Sequence, residues 1–345
     1  MDSITIFTIL WIALALAISL VLSKLMKIIH FPNVTGFLIG GILIGPWVFG
    51  SIIQSREVLA NDIVNNIGWI SEIALGFIAF TIGGSFKLSA LKKVGKRVTI
   101  ISIAEALGAS FFVILALFLG YFMGLKNYGL TIPMILILGA IACATAPAAT
   151  LLIINQYKAR GPVTETLIPV VAFDDAVALI AFYILFSVAK IVQLGGTFDP
   201  IKALLIPFLE IVISLVIGAT VGTIVSFATR WFKSRHNRLI LIIASVLLCV
   251  GLAQIDTAEV FHWSFSFQTS SLLTVMALGG VYVNLAKGVN TTNEYLEKFT
   301  SPVFMLFFVI SGASLNFGIF AEDGAIIVIA IAFIYIIFRV IGKWA

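Results

Sequence analysis

The sequence predicts an all-α polytopic membrane protein, and three observations carry that prediction. Of 345 residues, 61% are hydrophobic and only 11% charged, with a mean hydropathy of +1.16; soluble domains carry about 25% charged residues. Apolar runs of about twenty residues, the length that crosses a ~30 Å hydrocarbon layer, recur eleven times. The basic residues between these runs and toward their ends are also divided unequally, 17 on one side against 4 on the other. Such a bias marks the richer side as cytoplasmic. The N-terminus is then expected outside and residue 345 at the cytoplasmic face of a multi-pass protein in the cell membrane.

The spans are expected over residues 4–29, 33–51, 63–86, 98–124, 131–155, 163–190, 203–229, 239–255, 264–286, 300–320 and 324–345. The first, "ITIFTILWIALALAISLVL", has no basic region before it and no small-residue cleavage site after it. It reads as a retained helix, not a signal peptide. Connections are short and no low-complexity segment occurs, so residues 1–345 read as a single transmembrane domain. The net charge of +5 sits in loops, where it sets topology; no nucleic-acid partner is expected. Cys143 and Cys249 lie within apolar runs and imply no disulfide. His30, His236 and His262 lie near span ends, with no zinc or haem spacing. No cofactor is expected, and no nucleophile–base pair suggests an enzyme.

Function is sought in the polar groups at depth. Five acidic residues fall inside spans beyond their first turn: Glu72, Glu105, Asp174, Asp175 and Glu210. A carboxylate at the centre of a spanning helix costs roughly 2.5–3.5 kcal/mol on insertion scales, so such residues face a cavity or a partner and are functional candidates. Glu72 and Glu210 lie nearer helix ends and suit hydrogen bonds between helices. Glu105 either lines a cavity or pairs with a cationic side chain. Asp174 and Asp175, in "VVAFDDAVALIAFYILF", lie near mid-span and are the strongest candidates.

The fifth span, "ILGAIACATAPAATLLIIN", places Pro147 among small residues. Proline removes a backbone donor and clashes with the carbonyl four residues back, while the small residues let a neighbouring helix approach. A broken helix there would expose carbonyls and the Thr145 hydroxyl to a small cation. A short hairpin over residues 158–164 brings the fifth and sixth spans together, with Thr145–Pro147 and Asp174–Asp175 at similar depth. Hydroxyl, carbonyls and carboxylates make a hard oxygen site for sodium, lithium or potassium ions, or for protons. Adjacent helical residues point about 100° apart, so one aspartate faces the site and the other seeks a cation. Arg339 and Lys343 of the last span are the candidates; snorkelling to the cytoplasmic end is the alternative reading.

These features resemble the monovalent cation/proton antiporters, in particular the branch with an aspartate pair. The resemblance runs through "FPNVTGFLIGGILIGP", "SEIALGFIAFTIGG", "TAPAA", "FDDA", "FFVISGASLNF" and "RVIGK", in that order over nearly the whole chain. It implies an inverted-repeat fold of thirteen helices, about eleven of which are present, and a homodimer. It implies that Asp175 carries the cation or protons, that Asp174 pairs with Lys343, and that Thr145 and the break at Ala146 and Pro147 complete the site. The chain departs from the family pattern in having Ala146 where relatives often carry an aspartate. It also ends at Ala345, so a truncation before the last two helices is expected.

The resemblance further implies a secondary active transporter that exchanges a monovalent cation, sodium favoured, for protons by alternating access. Cation and proton compete for one confined carboxylate site. Release of a Lys343 proton in each cycle would make the exchange two protons per cation. The rival expectations are a potassium/proton antiporter, a passive channel and an inactive truncated fragment.

Overall fold

The computed structural model describes residues 3–50, 64, 66–84, 86, 88, 96–144, 158–193, 200–232, 234–255, 269–286, 289–315 and 325–344. Eleven α-helices are found among them: α1 (Ser3–Ile28), α2 (Asn33–Ile44), α3 (Gly68–Gly84), α4 (Lys96–Phe122), α5 (Ile132–Ala142), α6 (Pro162–Gln193), α7 (Pro200–Trp231), α8 (Arg235–Ala253), α9 (Ser271–Leu285), α10 (Val289–Ala313) and α11 (Ala325–Trp344). Each of the eleven expected spans overlaps one of these helices, with different ends; the tenth, expected over 300–320, is the helix Val289–Ala313. Segments of α1, α4, α7, α8 and α11 are long and apolar enough to cross a membrane; shorter apolar segments lie on the other six. Surface chemistry is that of a chain solvated by hydrocarbon. On α1, Leu10, Leu14, Val21 and Ile28 are exposed, while Trp11, Ala15 and Ser19 on the other side are buried.

The second span differs from its expected form, 33–51. Regular helix stops at Ile44, and a π-helical turn, Pro46–Gly50, follows. Pro46 has no N–H to give to the Ile42 carbonyl, four residues back; the Gly45 N–H takes that carbonyl instead at 3.3 Å. The Ile44 carbonyl at the helix end accepts from the Trp11 indole Nε1 at 3.2 Å. A buried indole N–H and an orphaned helix-end carbonyl thus satisfy each other. In the fifth span, expected over 131–155, α5 ends at Ala142, and residues 145–157 lie outside the described residues.

The chain divides into two compact units. One comprises Met1–Gly84, Val216–Ile255 and Thr274–Gly318. Its core gathers Trp11, Ile44, Met305, Val309 and Ile310 from α1, α2 and α10. Gly41 of α2 lies against the Val309 carbonyl, and Gly312 of α10 against that of Leu38. The two backbones meet where no β-carbon fits, which is how dispersion and small residues hold membrane helices together.

The other unit comprises Ser85–Leu215, Asp256–Leu273 and Ile319–Ala345. Here α4 is the hub, packing against α5, α6 and α11. Val113, Leu117, Leu130 and Ile135 form a core onto which Ile334, Tyr335 and Phe338 of α11 pack. The link from α4 to α5 is a 3₁₀ turn, Leu125–Tyr128, flanked by Gly124 (φ 118°) and Gly129 (φ 97°). Thr131 then caps α5, its hydroxyl accepting from the Met134 N–H at 3.5 Å.

Candidate functional site

Four helices of the second unit converge on Asp174. In α6, Val170, Asp174, Ala178 and Ala181 recur at helical spacing, and all four are buried. Ala106 of α4 and Cys143 at the end of α5 pack with Ala178 and Ala181. These small side chains let three helices close around one carboxylate. The Ser102 hydroxyl of α4 lies 3.3 Å from the Val170 carbonyl and ties α4 to the same turn of α6.

The charge that answers Asp174 comes from the far end of the sequence. Lys343 Nζ lies 3.5 Å from Asp174 Oδ2 and 3.2 Å from Glu105 Oε1. Two carboxylates on two helices thus share one ammonium. The Asp174 side chain is 1% exposed, whereas those of Lys343 and Glu105 are 18% and 22% exposed. A buried carboxylate without a counter-charge is strongly destabilising, so the lysine is a structural requirement as well as a chemical feature. What brings it there is a close crossing of α11 and α4. A β-carbon on Gly342 would stand 2.7 Å from the Ala109 Cα, and one on Gly108 would stand 2.8 Å from the Gly342 carbonyl oxygen.

The same α11 cations serve the open end of α5. Lys343 Nζ donates to the Cys143 carbonyl at 3.2 Å. That carbonyl lies four residues before Pro147, so in a continuing helix it would lack its donor. One turn earlier, Arg339 Nε donates to the Ala142 carbonyl at 3.3 Å, and its Nη2 donates to the Ala144 carbonyl. The guanidinium also lies 5.9 Å from the centre of the Tyr335 ring. Three successive helix-end carbonyls, each with a partial negative charge, are thus met by two cations at i and i+4 of one helix.

Of the residues singled out from the sequence, the structure brings Asp174, Lys343 and Glu105 together, with Arg339 beside them on the end of α5. The backbone of Asp175 lies within α6, but its side chain lies outside the described residues, as do Thr145, Ala146 and Pro147. Glu72 is elsewhere, in the first unit, where its Oε2 accepts from Nε2 of Gln254, the residue after α8, at 2.7 Å. Glu210 is half-buried in α7. The carbonyls of Ala142, Cys143 and Ala144 were not singled out. The signal for one of them is present, since a proline always deprives the carbonyl four residues before it.

The sequence model of the transmembrane sodium/hydrogen exchanger family matches residues 12–345. The chain belongs to the sodium/hydrogen exchanger family. Members are transporters that exchange cations for protons. A probable Na(+)/H(+) antiporter of Bacillus cereus, GerT, is 27% identical over 315 residues, which cover 88% of this chain and 73% of that protein. The fold is similar to that of the sodium proton antiporter MjNhaP1 from Methanocaldococcus jannaschii at pH 8, with a TM-score of 0.69 at 18% identity; the match covers 98% of this chain and 78% of that one. The all-α polytopic architecture is therefore the antiporter fold of this family.

Proposed function

We propose that this exchanger trades a monovalent cation, sodium in the first place, for protons by alternating access, with the Asp174–Asp175 pair as the binding site. The observation that carries the reading is the buried Asp174 carboxylate, held 3.5 Å from Lys343 at the point where α5 ends. Asp175 binds the cation or the proton, and the Thr145 hydroxyl and the backbone at Ala146 and Pro147 supply further oxygen ligands. Lys343 balances Asp174, while Arg339 secures the end of α5. Cation and proton compete for the same carboxylates, so each displaces the other on the two sides of the membrane. Residues 1–345 serve as one transport domain in a homodimer of the cell membrane, with the N-terminus outside and residue 345 at the cytoplasmic face.

The test is proton release from acid-loaded proteoliposomes on addition of sodium, then potassium, at alkaline pH. Wild-type vesicles are expected to respond to sodium, and Asp175→Asn vesicles to neither ion. A response to potassium alone replaces sodium as the substrate. An Asp175→Asn variant that exchanges at the wild-type rate ends the assignment of the site.

A further inference from the structure

The hairpin between α7 and α8 carries charge that the exchange site does not use. Arg230, Lys233, Arg235 and Arg238 fall within nine positions, and no acidic residue occurs in the sequence between Glu210 and Asp256. Lys233 lies outside the described residues; Arg230 and Arg235 are exposed, and Arg238 is half-buried. The first turn of α8 holds no acid, and no ion pair of Arg230 or Arg235 occurs among the described residues. The segments long and apolar enough to cross a membrane end at Trp231 and begin again at Arg235. These charges therefore stand at the level where hydrocarbon gives way to headgroups.

Topology needs only the count of such charges. Their setting is more particular. Val216, Ile224, Phe227 and Trp231 are all exposed, and their spacing puts them on one face of α7. An apolar stripe thus runs along α7 to the end of the span. At its top the Arg230 guanidinium lies 4.5 Å from the centre of the Phe227 ring, a cation–π contact that holds the charge over the stripe. Trp231 is 87% exposed, as suits a side chain enriched at membrane–water interfaces. Across the turn, Arg238 Nε donates to the Phe232 carbonyl at 2.8 Å and ties the first turns of α8 to the end of α7.

A ligand with an anionic head and a long apolar tail matches both parts of this surface. Three of the four cations are arginines, whose planar fork meets phosphate oxygens bidentately. We propose that the α7–α8 hairpin is a docking surface for an anionic phospholipid, with its phosphate on Arg230 and Arg235 and an acyl chain along Ile224 and Phe227. Charge complementarity and the stripe together select this occupant. A soluble acidic protein would match the arginines and leave the stripe without a role. The surface is separate from the exchange site, so the inference stands whichever ion is exchanged.

The experiment titrates phosphatidylglycerol, or its zwitterionic counterpart phosphatidylcholine, into the detergent-solubilised full chain. Bound lipid is read from native mass spectra, with the melting temperature alongside. The wild type is expected to bind phosphatidylglycerol more tightly and to melt higher with it. A basic residue beside an anionic headgroup is worth about five-fold in affinity. Arg230→Gln with Arg235→Gln is therefore expected to weaken phosphatidylglycerol binding about 25-fold and to leave phosphatidylcholine binding unchanged. Arg230→Lys with Arg235→Lys, which keeps the charges, is expected to retain most of the preference. Lys24→Gln with Lys27→Gln removes the same charge from the exposed end of α1 and is expected to bind as the wild type does. Equal binding of the two lipids by the wild type overturns the inference and leaves the arginines to topology or an acidic protein. Wild-type affinity in the arginine-to-glutamine pair overturns it, as does an equal loss in the α1 pair. Inorganic phosphate that raises the melt as far as phosphatidylglycerol does would make the occupant a free anion and overturn the lipid.

Discussion

The crossing of α4 and α11 gives a sharp prediction, because it is closed by backbone on both sides. In Gly342→Ala the new β-carbon stands 2.7 Å from both the Ala109 Cα and the Gly108 carbonyl oxygen. Ordinary contact begins at 3.4 Å, so the helices must part locally by 3.4 − 2.7 = 0.7 Å. No flexible side chain is available to give way. Overpacking of this kind costs about 1–3 kcal/mol, while alanine recovers about 0.5–1 kcal/mol of helix preference over glycine. The clash wins, with a net loss on the order of 1 kcal/mol. The functional effect is larger than the stability effect. Lys343 is the next residue, and a 0.7 Å retreat along its contacts lengthens 3.2 Å to 3.9 Å and 3.5 Å to 4.2 Å. Both then exceed hydrogen-bond range. The assay is a thermal melt of the solubilised protein beside sodium-driven proton release from vesicles. Gly342→Ala is expected to melt a few degrees lower and to lose most exchange. Gly251→Ala in α8, where a β-carbon meets nothing within 4 Å, is expected to melt no lower than the wild type and to leave exchange unchanged. A Gly342→Ala protein as stable and as active as the wild type would refute the claim that this crossing sets the lysine.

Two further substitutions probe the ends of the short helices. Arg339→Met removes the donors to the Ala142 and Ala144 carbonyls; hydrogen bonds to charged groups are worth about 1.5–3 kcal/mol each, so the melt should fall and the apparent KM for sodium rise, while Arg339→Lys, lacking the guanidinium fork, should recover only part of either. Unchanged KM in Arg339→Met would show that the guanidinium does not support the site. Trp11→Phe keeps the ring in the α1–α2–α10 core but strands the Ile44 carbonyl, at an expected cost of about 1–3 kcal/mol. It should lower the melt and leave sodium affinity unaltered, and a shift in affinity without a loss of stability would contradict that role.

The eleven helices were legible because hydrocarbon imposes a length. A chain that must satisfy its own backbone across ~30 Å writes each crossing as a long apolar run. Helix ends were less legible, even where a proline marks one. Pro46 accounts for the stop after Ile44, yet the expected second span runs on to residue 51, because hydropathy does not register a missing N–H. The cost of Asp174 at depth was equally plain from composition, since an ionisable group in an apolar run needs no partner in view to be conspicuous.

What the sequence by itself determined is therefore the list of parts: eleven apolar helices, two adjacent aspartates in one apolar run, a proline in another and two cations on the last helix. Which parts touch was decided only by the tertiary structure. Lys343 is 169 residues from Asp174 and 238 from Glu105, and helical period tells which face a residue occupies but not which helix lies opposite. That choice is made by packing, through Gly108 and Gly342 at the one crossing and through Ala106, Ala178 and Ala181 around the carboxylate. Dispersion between close-fitting backbones is short-ranged and depends on shape. It leaves no signature in hydropathy, yet it places an ammonium between two carboxylates that the sequence keeps far apart.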